Sequence, residues 1–256
     1  MTRPAIELDE LVEYLDRLLD AGRGSDVCPN GLQVEGRSPV CRLVTGVSAC
    51  RELFATARER QADAVLVHHG IFWHGDPQVL RGVQYRRVAE LMRGELSLLA
   101  YHLPLDRHPE LGNNALAAGA LGLEELAPFG DLGGELWGCR GRFAEPLPVA
   151  ELTARCRELY GGEPLIFAHG PDPVRTAGIV SGGAQRALAQ AIDAGLDLFL
   201  TGEVSEWVMN LSREAGIHFV AAGHYATERL GVRALGEHLA ERFGVEVEFV
   251  DIPNPV

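Results

Sequence analysis

Apolar side chains recur at helical spacing across residues 6–19 (Leu8, Leu11, Val12, Leu15, Leu18, Leu19), which predicts an opening amphipathic helix. A Pro29-Asn30-Gly31 turn and a short extended piece follow. Residues 43–47 read as a strand, 52–60 as a helix and 64–67 as the next strand. This βαβ order implies parallel pairing through a crossover helix. A helix over 85–93 and a strand over 96–101 extend it, and 113–121 is a further helix. Pro104, just past that strand, disfavours a helix there, so residues 102–106 are expected to form a tight loop.

Between residues 126 and 148 the composition shifts to Gly and Pro, with a short apolar piece at 136–143. The domain boundary is expected near the start of this stretch, giving domains 1–126 and 127–256. The second part predicts a helix at 149–160, strands at 165–168 and 176–180, a helix at 184–194 and a strand at 197–201. A helix at 205–215, a strand at 218–222, a helix at 227–243 and a strand at 245–250 complete it. The pattern leaves open which domain the last helix and strand join. The fold class is therefore α/β, and an internal repeat points to two similar domains. Residues 63–73, from Asp63 to Trp73, lie over residues 197–207, from Asp197 to Trp207, without a gap. Upstream, Gly46-Val47-Ser48 matches Gly178-Ile179-Val180-Ser181 with one insertion. In this overlay His69 stands opposite Glu203.

Charge and composition narrow the chemistry. The formal net charge of -13 argues against a surface built for phosphate backbones, so a nucleic-acid partner is not expected. The chain contains no lysine, which removes Schiff-base, P-loop and kinase-type lysine chemistry. Five cysteines at irregular spacing signal neither a zinc ribbon nor a disulfide framework, and fit reduced thiols. No apolar leader opens the Met1-Thr2-Arg3 terminus and no apolar run reaches spanning length, so a cytoplasmic protein without a membrane partner is expected.

The run Val65-Leu66-Val67-His68-His69-Gly70 ends an apolar strand in two imidazoles. Gly70 is expected to adopt unusual dihedrals that let both rings aim into one cavity, at the strand ends where open α/β sheets place ligands. Two further pairs share a four-residue spacing: His102 with Asp106, and His224 with Glu228, the second on one helical face. Four imidazoles and two carboxylates exceed the needs of one metal with an open position. They suit two divalent ions (Zn, Fe, Mn or Co) with a bridging carboxylate and a water or hydroxide between them. Trp73, Phe72 and Tyr225 lie beside these residues, to stack on a ring substrate or simply to wall a pocket. His74, His108, His169, His218 and His238 lack matching partners and are read as non-ligands. The Val180-Ser181-Gly182-Gly183-Ala184 turn is either an anion-holding helix start or a packing device.

These segments, with Asn30-Gly31-Leu32-Gln33-Val34, Asn113-Asn114 and Thr201-Gly202-Glu203, resemble the NIF-three-like (NGG-interacting-factor-like) family, also known as GTP cyclohydrolase I type 2-like or bacterial YbgI-like proteins. The resemblance spans nearly the whole chain. It implies two similar α/β domains with a dinuclear metal site between them, residues from about 220 bringing His224 and Glu228 to that site. It also implies a homohexameric ring with the metals facing its cavity. The implied metal ligands are His68, His69, Asp106, His224 and Glu228, with Glu228 the bridge and His102 a proton shuttle or outer ligand. Cys28-Pro29 precedes Asn30 where many relatives have Trp-Asp. The activity implied is hydrolysis of a nucleotide-like substrate by a metal-bridging hydroxide, either ring opening or phosphoester cleavage, with Trp73 and Tyr225 against the base. The alternative is a non-catalytic metal-holding ring that acts as a regulatory or interaction scaffold.

Overall fold

A computed structural model describes residues 4–256; Met1-Thr2-Arg3 lie outside the described residues. In chain order the first elements are α1 (Leu8–Leu19), β1 (Gly31–Val34), β2 (Arg42–Ser48), α2 (Arg51–Glu59), β3 (Ala64–His69), α3 (Gly82–Gly94) and β4 (Ser97–Ala100). Next come α4 (Leu103–Arg107), α5 (Asn113–Leu121), β5 (Leu123–Asp131), β6 (Leu136–Leu147), α6 (Val149–Tyr160), β7 (Leu165–Phe167) and β8 (Val174–Ile179). A 3-10 turn at Gln185–Ala187 leads into α7 (Leu188–Asp193), then β9 (Leu198–Thr201), α8 (Glu206–Ala215) and β10 (His218–Ala221). The chain closes with α9 (His224–Thr227), α10 (Arg229–Phe243) and β11 (Glu246–Phe249).

The described residues form two compact units: those up to 105 with 231–253, and 106–230 with 254–256. The first holds a sheet of order β1-β4-β3-β2-β11, parallel except for β1. The second holds a sheet of order β5-β6-β8-β9-β10-β7, with β8, β9 and β10 parallel and the rest antiparallel. The last helix and strand thus join the first unit, where β11 extends the sheet beside β2. The division falls at residue 105 rather than 126 because α5 packs on β5 and β6. The Gly- and Pro-rich stretch expected to be a boundary is instead the β5–β6 antiparallel ribbon, a full edge of the second sheet.

The two units repeat one motif. In each, three parallel strands joined by helices carry an antiparallel strand on the last (β1 on β4, β7 on β10). The shared aspartate explains the overlay. Asp63 Oδ2 accepts the amides of Cys41 and Arg42 at 2.8 and 2.9 Å, and Asp197 Oδ2 accepts those of Arg175 and Thr176 at 2.7 and 3.0 Å. The carbonyls of the same two aspartates accept from Ser97 and His218, which open the third strand of each unit. One carboxylate therefore ties the starts of two strands, a structural duty preserved in both copies. The shared tryptophan has no common role: Trp73 lies in a loop and Trp207 on the exposed side of α8. The upstream glycine match is displaced by two residues. Ladder register puts Gly46 opposite Val67 but Gly178 opposite Phe199, whose counterpart in the overlay is Val65, so Gly178 stands level with Val44.

Candidate metal centre

In the first unit the carboxyl ends of the adjacent parallel strands β3 and β4 lead to His68 and His69, and to His102. One ring nitrogen from each of these three imidazoles lies within 4.8 Å of the other two, close enough for all three to reach one metal ion. His68 is fully buried and its Nδ1 donates to the Tyr101 carbonyl at 3.0 Å. His69 Nδ1 bonds Ser48 Oγ at 3.0 Å, and His102 Nδ1 bonds Asp26 Oδ1 at 2.7 Å. Burial alone would raise the Asp26 carboxyl, but the bonds from His102, the Cys28 amide and Asn30 outweigh it and bring its pKa down to about 2. Asp26 is therefore an ionised acceptor that keeps the proton of His102 on Nδ1.

The loops around these rings are built by the Asn30-Gly31-Leu32-Gln33 segment. Asn30 Oδ1 accepts the His102 amide at 2.8 Å while its Nδ2 donates to Asp26 at 3.0 Å. Gln33 Oε1 accepts the Ile71 amide at 2.8 Å and its side chain lies flat over Gly70. A Cβ at residue 70 would sit 2.3 Å from the Gln33 amide, so glycine is required by space; its φ is not in the left-handed region, contrary to the dihedral expectation. The tight loop expected after β4 is a short helix, α4. Pro104 sits in its first turn, where a missing N–H costs nothing. Asp106 on α4 is held by Asn113 Nδ2 at 2.8 Å and Ser181 Oγ at 2.9 Å.

In the second unit, the ends of β9 and β10 lead to Glu203 and His224. The four-residue spacing does place His224 and Glu228 together: Nε2 lies 3.2 Å from Glu228 Oε1, while Nδ1 bonds Glu203 Oε1 at 2.6 Å. Burial pulls the His224 imidazolium pKa down, but the two carboxylates more than reverse this and raise it from 6.5 to about 9. In metal-free protein this ring is doubly protonated at neutral pH. The stability it contributes is present below pH 6.5 and is lost as pH rises through about 9. A metal at Nε2 has to displace that proton. Calorimetric metal titrations in buffers of different ionisation enthalpy should show about one proton released from this site at pH 7, falling towards none above pH 9. His224→Ala should abolish the release.

The Val180–Ala184 turn is a packing device. The amides of Ser181, Gly182 and Ala184 are taken by Asn114, Thr227 and Thr201. A Cβ on Gly182 would meet Glu228 Oε1 at 2.3 Å, so the glycine is cut away to seat that carboxylate. Among the other imidazoles, His218 bonds the Gly170 amide and Pro171 carbonyl, His238 bonds Tyr14, and His108 accepts the Glu110 and Leu111 amides. Half-buried Trp73 lies 5.3 Å from the His102 ring and 5.7 Å from the His69 ring, whereas Tyr225 is buried on α9.

Sequence spacing picked out the imidazoles but missed Asp26 and Glu203, which hold two of them. Glu203 had a signal, as the residue opposite His69 in the repeat. Asp26 had none, since its bond to His102 spans 76 residues.

Each of the four rings is thus engaged at Nδ1 by a neighbour from its own unit, as in metal-ligating histidines, whose other nitrogen is oriented by a carboxylate, carbonyl or hydroxyl. The three clustered imidazoles of the first unit, and His224 with its carboxylates in the second, each offer donors of the kind that suit a divalent metal of the zinc, iron, manganese or cobalt type. Fold and side chains together define a two-unit α/β protein carrying His, Asp and Glu clusters that can hold metal ions. The chain belongs to the family described as Duf34/NIF3 (NGG1p interacting factor 3), which matches residues 6–255. It is 50 % identical over 251 residues to a Pseudomonas aeruginosa protein named GTP cyclohydrolase 1 type 2 homolog, covering 98 % of this chain and 99 % of that one. The solved structure of the protein ybgI, described as of unknown function, is 42 % identical, covers 98 % of this chain and 100 % of its own, and superposes with a TM-score of 0.93. A solved structure from Thermus thermophilus gives 39 % identity, the same coverage and a TM-score of 0.90. No helix among the described residues is long and apolar enough to cross a membrane.

Proposed function

We propose that the chain is a dinuclear metal-dependent hydrolase acting on a nucleotide-like substrate, in line with the name borne by its relatives. The observation that carries this is the convergence of His68, His69 and His102, whose candidate ligand nitrogens lie within 4.8 Å of one another, each ring held in orientation through Nδ1. In this reading His68, His69, Asp106, His224 and Glu228 would hold the two ions. Bound divalent ions supply Lewis acidity and make water a competent nucleophile near neutral pH. His102, backed by the ionised Asp26, takes and returns a proton at Nε2, and its short bond to Asp26 stabilises the imidazolium formed meanwhile. Trp73 and Tyr225 are the aromatic side chains proposed to bind the base. The working form is a homohexameric ring in the cytoplasm.

The test uses protein purified with its native metals, analysed for metal content and sedimentation mass, then screened against nucleoside triphosphates and phosphoesters. The proposal expects about two ions per chain, a mass near six chains, and turnover that falls at least about 10³-fold in Glu228→Gln and Asp106→Asn. Variants that lose metal while no substrate is turned over by the parent would instead favour the metal-holding scaffold.

A further inference from the structure

A cavity of about 1040 Å³ opens within the first unit beside the imidazole cluster, walled by the segment between β3 and α3 and by α3 itself. That is ample room for a nucleotide-sized ligand. Phe72 and Trp73 form its aromatic side, and Trp73 is also the ring that touches His69 and His102. Val79 and Leu80, both more than half exposed, supply an apolar lip.

The opposite chemistry comes from two arginines. Arg81 and Arg87 line the cavity, and among the described residues neither makes an ion pair, whereas Arg37, Arg42, Arg58 and Arg60 all do. Arg87 is half-buried at the cavity wall and has no carboxylate partner among the described residues. Arg81 is the N-cap of α3, a 13-residue helix with no side-chain cap and no acidic residue in its first turn, so nothing there already neutralises the helix's positive end. Two carboxylates also line the cavity. Asp26 is committed to His102, Asn30 and the Cys28 and Leu103 amides, which leaves Asp76 alone opposing two guanidiniums.

An aromatic wall against the imidazoles, facing a pair of unneutralised guanidiniums, fits one class of small molecule: a flat ring carrying an anion. We infer that this cavity binds a nucleoside 5′-phosphate, its base against Trp73 and Phe72 and its phosphate held by Arg81, at the start of α3, and by Arg87, in its second turn. Arg supplies the forked donor geometry that phosphate oxygens accept. The inference rests on the hydrolase reading only for the identity of the neighbouring cluster, and binding is measurable without turnover.

The experiment is calorimetric titration of the protein as purified, with adenosine, guanosine and uridine 5′-monophosphates, the three parent nucleosides, and inorganic phosphate. At least one monophosphate should bind ten-fold or more tighter than its nucleoside. Arg87→Gln and Arg81→Gln should each remove most of that preference while leaving nucleoside affinity and the melting temperature within error. Arg87→Lys should restore part of it, and Trp73→Leu should weaken monophosphate and nucleoside alike. Equal affinity for monophosphate and nucleoside, no binding of any monophosphate, or a preference that survives both arginine variants overturns the assignment. Turnover that is insensitive to the arginines would sink this site and spare the hydrolase. Arginine-dependent binding without turnover would do the reverse.

Discussion

Replacing His68 by alanine is expected to abolish tight metal binding, with affinity lowered by more than about 100-fold, since loss of an outer hydrogen-bond partner alone costs 10–100-fold. His68 is the fully buried member of the imidazole cluster, so no neighbouring side chain or water slides in to replace its nitrogen. The same change strips the Tyr101 carbonyl of its donor and opens a hole at the end of β3. Metal-free protein should therefore also lose about 2–4 kcal/mol of stability. Two measurements separate these effects: metal content after dialysis, and urea denaturation in the presence of chelator. Ser48→Ala is the companion variant. It removes only the partner of His69 Nδ1 and should weaken metal binding about ten-fold with little change in the chelated denaturation curve. Metal binding that survives His68→Ala would remove the cluster from consideration as a metal site.

The imidazole clusters were legible because strand ends, histidines and fixed spacings leave local marks. α5 and α6 match the helices expected at 113–121 and 149–160, since their apolar spacing is purely local. What was not legible depends on contacts far apart along the chain. The Gly- and Pro-rich shift over residues 126–148 suggested a domain boundary near its start because β6 carries small and charged side chains; its pairing with β5 and β8 on both sides makes it a strand. The helix after β4 was obscured by Pro104, which is harmless at the first turn and disruptive only further in. The affiliation of β11 was undetermined because its pairing with β2 spans about 200 residues, beyond any periodicity argument.

The repeat leads to the second large effect. Laid over one another, the central strands put Gly202 where the first unit has His68 and Glu203 where it has His69. The copies diverged because the space that an imidazole takes in the first unit is filled in the second by main chain. A Cβ on Gly202 would lie 2.6 Å from His224 Cα, 2.7 Å from the Gly182 carbonyl and 2.9 Å from the His224 amide nitrogen. All three are backbone atoms, and the Gly202 amide already bonds Gly182 while its carbonyl bonds Gly223. No side-chain rotation relieves the clash, so Gly202→Ala has to move the 223–224 turn or break those bonds. It should cost about 3 kcal/mol of stability. It should also weaken metal binding at least ten-fold, because His224 is carried on the displaced turn between Glu203 and Glu228. Gly183→Ala tests the reasoning from the adjoining turn. There the added Cβ meets only the Glu203 carboxylate, at 3.4 Å, so stability should change by less than about 0.5 kcal/mol. Parallel thermal melts of the two variants decide it: if they unfold together, close backbone approach is not what holds residue 202 as glycine, and the divergence of the two halves needs another cause.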